Sequence, residues 1–167
     1  MSRIACVLGA ALLIVSSATA AVITRTATTA TYKLTLAVGP VETMYTPAQV
    51  RASHPKSGEE MLSGQMTGGM AGMTMPSGGQ KHLEVHICTR GGAVVKGVHP
   101  KIVVSDPASG QMAVAVPVAV MEGVTEGASD LHYGNNVSLA AGHKITVTVT
   151  LNGQHAVFRA TVPKSSM

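Results

Sequence analysis

The sequence predicts an all-β protein, an antiparallel sandwich of immunoglobulin-like or cupredoxin-like architecture. Segments that alternate apolar and polar residues, rich in valine and threonine, recur along the chain. An Asn152-Gly153 pair stands between the two clearest of them, as a tight hairpin turn requires. No long run has helical period, so short strands must stack as two layers to bury their apolar faces.

Strands are expected near 31–38 (TYKLTLAV), 81–89 (KHLEVHICT), 101–105 (KIVVS), 111–120 (QMAVAVPVAV), 143–151 (HKITVTVTL) and 154–162 (QHAVFRATV). Turns are expected at Gly91-Gly92, at Asp106-Pro107 with Gly110, and around Gly123. One short helix interrupts them. Thr46 serves as N-cap, Pro47 occupies the first helical position and Gln49 completes a capping box, and Pro55 forces an end. Residues 56–80 hold seven glycines and Pro76 without periodicity, and read as a mobile loop.

The first twenty residues read as a cleavable export signal. Arg3 gives the positive start, IACVLGAALLIV is an apolar run too short to span a bilayer, and Ala18-Thr19-Ala20 offers the small-x-small cleavage pattern. An exported, periplasmic or secreted protein follows, with 21–30 as an extension, 31–163 as one sandwich domain and no membrane-spanning segment in the mature chain. Cys6 leaves with the leader, so Cys88 stays alone and no internal disulfide can form. Without Arg3, 11 Lys and Arg face 8 acidic residues. The cations are scattered and the aromatics are only Tyr32, Tyr45, Tyr133 and Phe158, which disfavours nucleic acid as a partner.

Chemistry concentrates in the second strand. Alternation puts Leu83, Val85 and Ile87 on one face and His82, Glu84, His86 and Cys88 on the other. A wet strand face always carries polar residues, but two imidazoles and a carboxylate, each within about 7 Å of the next, can share an ion. Cys88 has the same parity, although an isolated cysteine at a strand end is more often a small hydrophobe. Met112 and Met44 read as core fillers. Met66, Met70, Met73 and Met75 do not, because their Gly-rich surroundings offer no apolar pattern to pack against. Thioethers at spacings of four, three and two resemble the methionine motifs of exported copper proteins, where soft neutral sulfur prefers Cu(I). A second cluster, Met121, Asp130 and His132, falls in a turn-rich stretch at 120–136.

Two of these motifs carry a resemblance. HLEVHI (82–87) and SDLHYGNN (129–136) resemble, in the same order, motifs of the periplasmic copper-binding proteins associated with bacterial high-affinity iron uptake, which are immunoglobulin-like sandwiches. The likeness extends loosely over about residues 32–162. It implies His82 and His132 as copper ligands, Met121 as the thioether ligand, Glu84 as a neighbouring acid, and Asp130 in a looser role. Asp130 stands one residue nearer to its histidine than the family spacing. A late histidine completes the family's site, and the chain offers His143 or His155. If Leu151 pairs with Gln154, these two lie at opposite ends and faces of one hairpin, and His155, on the threonine-rich face, is the better placed. His86 stands where the family tends to an acid. The resemblance further implies copper as Cu(II) and Cu(I), iron as another cargo, a homodimer, and an inner-membrane metal transporter as partner.

No Ser/His/Asp spacing, phosphate-binding glycine loop or activated Cys/His pair argues for an enzyme. The readings that stand beside a metal-handling protein are a structural or adhesive sandwich module and, more remotely, a copper-dependent redox enzyme.

Overall fold

A computed structural model describes residues 22–64 and 79–164. Residues 1–20, read above as an export signal and holding Cys6, and Met66, Met70, Met73 and Met75 lie outside these residues. The elements are β1 (Ile23–Thr28), β2 (Tyr32–Gly39), β3 (Met44–Tyr45), helix α1 (Pro47–Ser53), β4 (Glu59–Ser63), β5 (Gln80–Thr89), β6 (Lys101–Asp106), β7 (Gln111–Ala115), β8 (Ala119–Gly123), β9 (His132–Ser138), β10 (Lys144–Leu151) and β11 (Gln154–Thr161).

These strands form the expected all-β sandwich. One sheet has the order β1-β2-β5-β9-β8-β4-β3 and the other β11-β10-β6-β7. Every pairing is antiparallel except the short β3–β4 contact. Leu34, Leu36, Leu83, Val85, Ile87 and Tyr133 of the larger sheet are buried in one core with Ile102, Val147, Val149 and Phe158 of the smaller. Burial of each such side chain contributes about 2 kcal/mol. That fixes the register of β5 from its inner face and leaves the outer face free for other chemistry.

Local signals were reliable where chain geometry allows few solutions. Asn152 (φ 48°) and Gly153 (φ 73°) make the tight turn with Leu151 opposite Gln154 and Thr150 opposite His155. At α1, Thr46 Oγ1 accepts from the Gln49 amide at 3.2 Å and Gln49 Oε1 accepts from the Thr46 amide at 2.8 Å. The helix buries no side chain and is peripheral.

Several expectations need correction. The run 111–120 is two strands in different sheets. Pro117 cannot donate to a ladder, so β7 ends at Ala115 and the chain crosses over before β8. The stretch 21–30 is not a free extension, because β1 pairs along β2 from Ile23–Val38 to Thr28–Lys33. Part of the expected loop 56–80 is β4, which pairs with β8. Met112, expected in the core, is exposed on β7, whereas Met44 is buried as expected.

Candidate metal centre

The outer face of the larger sheet is a grid whose register decides what can meet. β5 lies beside β9, with His82 opposite Asn136 and Glu84 opposite Gly134. β9 lies beside β8, with His132 opposite Met121 and Gly134 opposite Ala119. β4 completes the row, with Met61 opposite Met121 and Glu59 opposite Gly123. Gly134 has a steric reason, since a Cβ there would overlap the Leu83 carbonyl oxygen.

His82, Glu84 and His132 converge, although about fifty residues separate the two histidines in sequence. Glu84 Oε2 is 3.8 Å from both His82 Nε2 and His132 Nε2. Glu59 joins them, with Oε2 at 3.6 Å from His132 Nε2. One donor atom from each of these four residues lies within 4.8 Å of all the others. Bonds of about 2 Å hold donors about 3.3 Å apart at a tetrahedral angle and about 4 Å apart across an ion, so one ion fits this set after small rotations.

Orientation of the rings supports the same use. His82 Nδ1–H donates to Asn136 Oδ1 at 3.0 Å, and His132 Nδ1–H donates to the Asp130 carbonyl at 2.7 Å. Each ring therefore turns an Nε2 lone pair inward, as metal-binding imidazoles do when the other nitrogen is tied to an acceptor. His82 Nε2, His132 Nε2 and Glu59 Oε2 are buried and have no hydrogen-bond partner. Such atoms each cost about 1–3 kcal/mol when nothing meets them. A cleft of about 190 Å³ between Val22, Pro40, Glu42, Glu84 and Asp130 is lined also by His82 and Glu59.

Charge follows burial. Burial, with Asp130 and Glu84 nearby, pushes the Glu59 carboxyl up to about 8. Burial lowers His82 and His132, so both imidazoles are held towards the neutral, ligating form. Burial also pushes Glu84 upward, but the hydrogen bond from His86 and the three surrounding imidazoles outweigh it and keep its carboxyl below the ordinary range. His86 moves the other way, raised mainly by its bond to Glu84.

His86 and Asp130 sit at the open side of the same group, with His86 Nε2 3.5 Å from Glu84 Oε1 and 4.0 Å from Asp130 Oδ1. Met121 is buried directly beside His132 in the register and packs with Met44, Ala119 and Met61. His132 was expected in a turn-rich segment; it opens β9, and the turn is the Gly127–Asp130 segment before it. His155 is not brought to this group. It is exposed on β11 in the other sheet, where its Nδ1 meets Thr150 Oγ1 at 3.0 Å. His143 is also elsewhere, held at Nδ1 by Asp106 Oδ2 at 2.9 Å. Ser109 Oγ approaches the same His143 nitrogen at 3.2 Å, so the trio lacks the serine-on-Nε2 arrangement a nucleophile needs. Cys88 is half-buried, opposite Lys33, and belongs to neither ligand group.

Two participants escaped sequence reasoning. Glu59 lay inside the expected loop, and its strand is too short and glycine-flanked to show a period. Asn136 stood within HYGNN, but only pairing of β5 with β9 puts it opposite His82. Asn136 also donates through Nδ2 to the Glu42 carbonyl at 2.8 Å, clipping the rim of the cleft to the ring it orients. Asn136→Ala is expected to lower metal affinity about 10- to 100-fold. Asn136→Asp, which keeps the acceptor, should recover most of it. Equal affinities of parent and alanine variant against a competing chelator would remove Asn136 from the site. Comparison with protein-family models, curated proteins and solved structures returns no match.

Proposed function

We propose that this chain is an exported copper-binding protein, non-catalytic, that serves copper handling or acts as an accessory of iron uptake. The observation that carries the metal reading is the convergence of three buried, unpartnered donor atoms, His82 Nε2, His132 Nε2 and Glu59 Oε2, around the Glu84 carboxylate. Copper is favoured because mixed imidazole and carboxylate donors bind Cu(II) more tightly than the other first-row divalent ions, and because a thioether, Met121, stands beside His132. The resemblance of HLEVHI and SDLHYGNN to the copper proteins of iron uptake supports the same choice, together with a homodimer and a membrane transporter as recipient. Met66, Met70, Met73 and Met75 enter as Cu(I) donors on residue type alone. The two carboxylates keep iron as a second cargo.

Cu(II) added up to one equivalent should give an axial electron paramagnetic resonance spectrum with nitrogen splitting from two imidazoles. The melting temperature should rise with it. Absence of binding by Cu(II), and by Fe(II), Mn(II) and Zn(II) in parallel titrations, would overturn the reading in favour of a structural or adhesive module.

A further inference from the structure

The four-donor centre uses one oxygen of Glu84 and leaves the other committed elsewhere. Oε2 faces His82 and His132, whereas Oε1 faces His86. The carboxylate thus stands between two donor sets. Beyond it, His86 Nε2 and Asp130 Oδ1 are 4.0 Å apart, and His86, Asp130 and His132 also hold donor atoms within 4.8 Å of one another. His132 offers a single inward nitrogen and that one lies 3.6 Å from Glu59, so it belongs to the first set. What remains for a second ion is His86 Nε2 and Asp130 Oδ1, with Glu84 Oε1 3.5 Å from the His86 nitrogen.

We propose that the site is dinuclear, with Glu84 bridging a buried ion on His82, His132 and Glu59 to a more exposed ion on His86 and Asp130. This rests on the metal-binding reading above. A carboxylate that binds one ion through each oxygen holds the pair about 3.5–4 Å apart, the usual separation in two-metal centres. Three imidazole rings surround that space, with the centroids of His86 and His132 5.4 Å apart and those of His82 and His132 5.6 Å apart. The fold also brings Asp130 to this side. Asp130 is carried over by the Gly127–Asp130 turn, which packs on β8 because Gly123 lacks a side chain; a Cβ there would lie 2.9 Å from Asp130 Oδ2. Unlike the first, the second set has only three protein donors and opens to solvent. Water or an incoming partner's ligand completes it, which makes it the position through which an ion enters and leaves.

The test is stoichiometry with Cu(II) alone as the probe, read by titration against a weak chelator and by electron paramagnetic resonance. The parent is expected to take two equivalents. The spin count should rise to about one per chain and then fall as the second ion couples through Glu84. His86→Ala and Asp130→Asn should each stop at one equivalent and keep the single-ion signal; both side chains are partly exposed, so folding is not at stake. A parent that stops at one equivalent, or variants that still take two, overturn the second position. A parent that takes none overturns the metal-binding reading as well.

Discussion

Replacing His132 with alanine is expected to lower Cu(II) affinity by at least about 100-fold, more than loss of an orienting neighbour costs. Among the described residues, His132 touches every other part of the centre. Its Nε2 lies near both Glu59 and Glu84, its ring packs against those of His82 and His86, and its Nδ1–H is fixed by the Asp130 carbonyl. Alanine would leave Glu59 and Glu84 facing each other across an empty space, with no imidazole to reconcile them. His82→Ala should be milder, because His132 would still hold an ion with both carboxylates. Competition titrations of the two variants decide this, with the melting temperature of the apo forms as a check on folding. If His132→Ala keeps affinity within about threefold of the parent, the centre is not where the ion sits.

Stability of the metal-free protein should depend on pH in a direction set by Glu59. Its folded value of about 8 lies above the ordinary 4.5, so between those values the folded chain holds a proton that the unfolded chain has lost. The associated stability is complete below about pH 4.5 and disappears as pH rises through about 8. His86, also raised, adds a loss in the same direction. His82 and His132 act oppositely. Both are lowered from 6.5, so their contribution is present above 6.5 and is lost as pH falls through their folded values. A maximum on the mildly acidic to neutral side follows, with an alkaline decline due chiefly to Glu59. Glu59→Gln imitates the protonated acid. It should match the parent near pH 4 and pull ahead as pH rises, melting roughly 5 °C higher at pH 8.5. Metal binding at pH 7 should expel the Glu59 proton, visible as a buffer-dependent heat. A flat alkaline limb in the parent, or a Glu59→Gln variant that declines equally, would show that Glu59 is not the buried acid responsible.

Much of this was legible in sequence wherever a signal is local. The hairpin at Asn152-Gly153, the cap at Thr46 and the alternation of β5 each depend on a few adjacent residues. So did the donors His82, Glu84 and His132, through residue type and motif. What sequence hid was set by pairing between distant strands. β4 is five residues long and follows Gly58, so Glu59 could not be told from loop. The split of 111–120 required Pro117 to outweigh an unbroken apolar run, and the exposure of Met112 follows from β7 lying at a sheet edge. His155 had the right residue type and the right parity, but parity within a hairpin says nothing about which sheet the hairpin joins.

β5 serves two masters, an apolar interior through Leu83, Val85 and Ile87 and a polar exterior through His82, Glu84 and His86. A slip of one residue would drive three ionisable groups into hydrocarbon and push three aliphatic ones into water, so the donor strand itself penalises misregistration. The centre also needs β4, β5, β8 and β9 docked together, and no half-paired intermediate resembles it. An ion bound there would therefore be expected to arrive after the slow step of folding is over. It would act as a brake on escape from the native state, lengthening the lifetime of the folded chain while the speed of reaching it stays that of the bare polypeptide.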